Sequence, residues 1–151
     1  MASTHLQFAA LAVAIGLAFG QPSAGALANC AKSDFEAVVG ETASALRELT
    51  QSNKPTFQVR LRELKEKRGW NQDRFLKEAA PYVQDDRIAE FDERSSAFLD
   101  KIQSIGTEGA SANDPSCAAL LEVRAHMKAL VDVQKAKWVY MFGKLEQELK
   151  R

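Results

Sequence analysis

From about residue 33 onward, apolar side chains recur at steps of three and four, the period of helices that bury one face. The longest stretch of this kind is the last. Leu120, Val123, Met127, Leu130, Val131, Trp138, Met141, Phe142, Leu145 and Leu149 form one stripe. Asp114 suits the N-cap of this helix, and Pro115 suits its first turn, where a missing N–H costs nothing. A helix from Pro115 to Lys150 would be ~54 Å long.

Upstream, Ser33 and Glu36 have the spacing of a capping box, and the pattern predicts a helix from Asp34 to about Ser52. Its stripe is Phe35, Val38, Val39, Thr42, Leu46 and Leu49. Asn53-Lys54-Pro55 should stop it, because the residue before a proline avoids the α region. A second helix would then carry Phe57, Leu61 and Leu64 inward and close at Gly69. Trp70 and Phe75 have the spacing of a hydrophobic staple around an Asn71 cap. The third helix is expected from Gln72 to about Ala80, ended or kinked at Pro81. A fourth, from about Asp86 to Ser104, presents Ile88, Phe91, Ser95, Phe98, Leu99, Ile102 and Ile105. Residues 106–113 read as a loop, and no strand pattern occurs. The fold class is all-α: an antiparallel helical bundle of about five helices with a long C-terminal helix. None of the preceding helices is long enough to cover the last one. Its final third is therefore expected either to be wrapped by two neighbours or to serve as a contact surface, including a homodimer contact.

The first thirty residues differ from the rest, since the first charged side chain is Lys32. Phe8 to Phe19 is an unbroken apolar run, too short for the ~20 residues of a membrane span. Two small-x-small sites follow, Ala24-Gly25-Ala26 and Ala26-Leu27-Ala28. This pattern predicts a secretory signal peptide over residues 1–28, removed to leave one domain over 29–151 with no transmembrane helix. Export to the periplasm or to the exterior places Cys30 and Cys117 in an oxidising compartment, where they are expected to pair. Such a bridge makes both flanking helices begin at the same end of the bundle. In a five-helix count, it also requires the chain to reverse at Pro81. Leu27-Ala28-Asn29-Cys30 resembles a lipobox in part, and a lipid anchor through Cys30 is the alternative use of that sulfur.

The 20 basic and 20 acidic side chains cancel. Nucleic acid, which needs a basic excess, is therefore not the expected partner. No CxxC, HExxH, phosphate-binding glycine loop or EF-hand loop is present, and no cofactor is implied. His126 stands four residues after Glu122, as two metal ligands on one helix face could, although a surface ion pair is the simpler reading. The acidic run from Asp85 to Glu93 reads as a solvated helix start. Arg60, Arg62, Lys65, Lys67 and Arg68 read as an exposed basic face. The segment around Trp138, Tyr140, Met141 and Phe142 offers the largest apolar arc. These four are the candidate partner contacts. Together these features incline the reading away from catalysis. They suggest an exported bundle that binds a protein or lipid partner in the cell envelope, with a metal- or carboxylate-dependent site at Glu122 and His126 as the competing class.

Overall fold

The computed structural model describes residues 30–111 and 116–151, and the side chains of residues 109–111 are left aside. The signal-peptide reading of residues 1–28, like the Asp114 cap and Pro115, lies outside the described residues. Among the described residues there are four helices: α1 (Lys32–Lys67), α2 (Gln72–Val83), α3 (Asp86–Ser111) and α4 (Cys117–Lys150). The expected class holds; the expected number of helices was one too many.

The correction comes at Pro55, which lies inside a continuous α1 of 36 residues. Proline removes one intrahelical bond, but Gln51, whose carbonyl would have accepted it, is exposed and can bind water. The Asn53 amide also donates to the Leu49 carbonyl at 2.7 Å, and the Thr56 hydroxyl to the Ser52 carbonyl at 3.3 Å. Burial of Val38 before the proline, and of Phe57, Leu61 and Leu64 after it, holds both halves on one partner helix. Tertiary packing thus overrides the local breaker. The helix also starts earlier than the Ser33 box suggested. Ala31 is its N-cap, and its N–H donates to Asp34 Oδ2 at 2.9 Å.

The corner after α1 follows the sequence closely. Gly69 adopts φ 63°, and Trp70 N–H reaches back to the Lys65 carbonyl at 3.0 Å, closing a Schellman turn. Asn71 Oδ1 then accepts from Arg74 N–H at 2.9 Å. Trp70 and Phe75 both pack on the core beside this corner. Pro81 neither ends nor splits α2, which runs on to Val83. Asp85 makes the break. Its Oδ1 accepts from Ile88 N–H at 2.7 Å and caps α3. Further on, α3 continues through Gly106 to Ser111, consuming most of the expected loop. Ser116 caps α4, accepting from Ala119 N–H at 3.1 Å.

Cys30 and Cys117 are bridged, with Cα atoms 5.0 Å apart. The bridge sets the start of α1 beside the start of α4, and the two run parallel. Phe57 accordingly meets Trp138 at 6.0 Å and Phe142 at 5.3 Å between ring centroids, and Arg68 meets Glu148 at 2.9 Å. α3 runs the other way: Asp85 meets Lys144, Ser95 meets Gln134, and Phe98 meets His126. The bridge therefore needs no reversal at Pro81. Merging the first two expected helices removes one reversal, and α2 serves only as the corner between α1 and α3. The merger also disposes of the length mismatch, since α1 of 36 residues can accompany α4 of 34 residues along its whole course. α4 is the shared partner, packing on each of the other three helices.

Candidate functional site

Packing along α4 divides into two apolar clusters. At the disulfide end, Val38, Leu120, Val123 and Met127 are buried, with Phe35, Ile102 and Ile105 against them. At the opposite, corner end, Phe57, Leu61, Leu64, Ile88, Met141 and Leu145 are buried under a shell of aromatic rings. Between the two, one polar residue from each long helix lies at one level: exposed Thr50 beside Leu46 and Leu49 on α1, buried Ser95 on α3 and half-buried Gln134 on α4.

These residues are too short, or too polar, to fill the space that leucine or phenylalanine fills at either end. A cleft of about 240 Å³ opens there between α1 and α3, with α4 as its floor. Its walls are Leu46, Leu49, Leu99 and Leu130, and no lining side chain is ionisable. Leu99 remains 51% exposed. The Gln134 amide donates to Ser95 Oγ at 2.7 Å, and Ser95 in turn donates to the Phe91 carbonyl at 2.8 Å. Thr50 donates to the Leu46 carbonyl at 3.0 Å. An apolar concavity with a few fixed hydrogen-bonding groups has the general make-up of a binding site. Ser95 was legible only as one member of a helical stripe. The site requires knowing which residues of three helices share a level, and the register of α1 and α3 on α4 supplies that.

The aromatic segment singled out from sequence lies in the corner-end cluster. Met141 is buried, while Trp138, Tyr140 and Phe142 are half-buried. Each of the three rings has an aromatic neighbour: Phe57 for Trp138 and Phe142, and Phe91 for Tyr140 at 6.1 Å. Val139, between them, is 73% exposed. Glu122 is exposed, whereas His126 is half-buried and tilted against Phe98 at 5.9 Å. No group of three or more His, Cys, Asp or Glu side chains converges among the described residues, so Glu122 and His126 gain no third ligand there. The Cys30 sulfur lies in the bridge to Cys117, which leaves no thiol for the thioether of a lipid anchor.

The strongest electrostatic feature is structural. Lys144 donates to Asp85 Oδ2 and to the Pro81 carbonyl, which joins α4 to the end of α2 and the cap of α3. Tyr140 OH also donates to Asp85 Oδ2, at 2.9 Å. Burial pushes the Asp85 carboxyl upward, but the Lys144, Ile88 and Tyr140 hydrogen bonds outweigh it and hold the group below its ordinary value. The hydrogen bond to Asp85, with burial second, raises the Tyr140 phenol. These groups sit about two helical turns or more from the cleft, beyond contact with anything it holds. No protein-family model, curated protein or solved structure matches the chain.

Proposed function

We propose that this chain is an exported binding protein of the cell envelope that holds an apolar part of a protein or lipid partner, rather than a catalyst. The observation that carries this reading is the mid-bundle cleft. At the level of Thr50, Ser95 and Gln134, Leu46 and Leu49 stay half-buried and Leu99 exposed above the buried Leu130. Had the bundle evolved for stability alone, apolar residues at Ser95 and Gln134 would close that gap. The bridge between Cys30 and Cys117 agrees with an oxidising compartment, and among the described residues no helix is long and apolar enough to cross a membrane.

Titration with the uncharged dye Nile red, followed by its blue-shifted emission, tests the site. Ser95→Leu should fill the cleft from the α3 side and weaken dye binding at least tenfold while the helical circular dichroism and the melting temperature are retained. Leu99→Asp should weaken binding similarly by making the rim polar. Unchanged affinity in both variants would remove the cleft as the binding site.

A further inference from the structure

The hydrogen-bonding groups of the mid-bundle cleft have few protons to give. The Ser95 hydroxyl has one, and it goes to the Phe91 carbonyl at 2.8 Å. The Gln134 atom 2.7 Å from Ser95 Oγ must therefore be the amide nitrogen, which fixes the orientation of the carboxamide. Its oxygen, Oε1, accepts no hydrogen bond from the described residues. Among those residues no buried side-chain oxygen or nitrogen lacks a partner, so Oε1 is open to solvent. On the α1 wall, the Thr50 hydroxyl spends its proton on the Leu46 carbonyl at 3.0 Å, leaving the lone pairs of Oγ1. The cleft thus offers two acceptors, Gln134 Oε1 and Thr50 Oγ1, against one uncommitted proton, the second N–H of Gln134.

We propose that the ligand of this cleft is a neutral aliphatic alcohol, which places it on the lipid side of the reading given above and rests on that reading. Its hydroxyl donates to Gln134 Oε1 and accepts the spare Gln134 proton, while its chain lies on Leu46, Leu49, Leu99 and Leu130. A carboxylate has no proton for these acceptors, and no lining side chain is cationic to offset its desolvation. An alkylammonium ion meets no anion there.

Size and shape point the same way. At the ~30 Å³ that one molecule occupies in liquid water, about 240 Å³ holds roughly eight heavy atoms. The outermost lining residues are four apart on each long helix: Leu46 and Thr50, Ser95 and Leu99, Leu130 and Gln134. The opening is therefore about one helical turn, ~6 Å, along the bundle. A partner helix anchors through residues spread over two turns or more, whereas a single chain needs only its own width. A tyrosine side chain has the hydroxyl and the size, but no lining residue is aromatic to receive its ring.

Titration of the full chain with octanol, followed by the backbone amide shifts of Ser95 and Leu99, tests the assignment. Octanol should bind about fivefold more tightly than heptyl methyl ether, which has as many heavy atoms but no proton to donate. It should bind at least tenfold more tightly than octanoate or octylammonium at neutral pH. Gln134→Met removes the carboxamide, leaves the Ser95 proton on the Phe91 carbonyl, and should bring octanol and the ether within twofold of each other while the helical circular dichroism is retained. Octanol binding no better than the ether or octanoate, a preference unchanged in Gln134→Met, or tighter binding of p-cresol, the tyrosine side-chain analogue, overturns the alcohol assignment. Nile red still bound at the cleft in any of these cases leaves the cleft itself standing as an apolar site. Failure of the dye, the alcohol and the ether alike overturns both.

Discussion

The two ends of the bundle reach order by different means, and the middle receives neither. At the disulfide end the buried core is small and aliphatic, and a covalent bond holds the helix starts together. The corner end has a larger core with an aromatic shell, and α4 is tied to its neighbours by side chains that reach across. Arg60 pairs with Glu146, Arg68 with Glu148, Lys144 with Asp85, and Lys67 donates to the Leu149 carbonyl. A short helical protein can substitute a cross-link for core volume, because the cross-link acts on the unfolded chain and needs few native contacts. Fixing both ends by separate devices lets the residues between them carry something other than stability. The cleft at Thr50, Ser95 and Gln134 is that place.

Removing the bridge should give the largest effect. The bond joins residues separated by 87 positions, and loop-closure entropy of that size corresponds to ~4 kcal/mol. Cys30→Ser with Cys117→Ser should lower the urea midpoint accordingly. Hydrogen exchange should show the first turns of α1 and α4 losing protection while Leu61 to Leu64 and Met141 to Leu145 keep theirs. Uniform loss of protection would mean that the ends are not separate units. Next comes Leu145→Ala, which empties a fully buried position in the corner-end core and should cost about 3 kcal/mol in the same urea experiment. Combining it with loss of the bridge sharpens the comparison. Independent ends predict additivity within ~0.5 kcal/mol, and a larger departure would show coupling through the middle.

How much of this was legible beforehand follows the same division. The corner was readable in detail, because a left-handed glycine, a cap and a staple act over a few neighbouring residues: Gly69, Asn71, Trp70 and Phe75. The bridge and the all-helical class were readable from pairing logic and period. Pro55 misled because its local penalty is real, yet small beside the burial of residues on both sides of it; only the length of α4 hinted that a long partner was needed. The cleft was not readable. Thr50, Ser95 and Gln134 are each unremarkable in their own helices, and they become a layer only when the register between helices is known. Val139 falls within the apolar segment around Trp138, but sequence spacing alone does not say which edge of an arc a neighbouring helix leaves bare.

The smallest effect separates the ends by pH. Asp85 caps α3 and accepts from Lys144 and Tyr140, so its carboxyl is held below the ordinary aspartate value. A lowered folded value means that the ionised form is favoured by folding. Its contribution is complete above the ordinary aspartate pKa, ~3.9, and is lost as pH falls toward and through the lowered value. Asp85→Asn keeps Oδ1 to cap Ile88 but puts an amide donor where Oδ2 accepted from Lys144 and Tyr140, so near neutral pH it should cost about 1 kcal/mol, since both charged partners are about a quarter exposed. Between pH 7 and 5 the stability difference from wild type should be flat, and below about pH 4 it should shrink. Among the described residues, the disulfide end has no comparable carboxylate: Asp34 caps α1 in an exposed position. Loss of the bridge should therefore shift the whole stability profile downward without altering its acid limb. If Asp85→Asn instead left the acid limb unchanged, the corner end would owe its order to aromatic packing alone, and the electrostatic half of the contrast would fall.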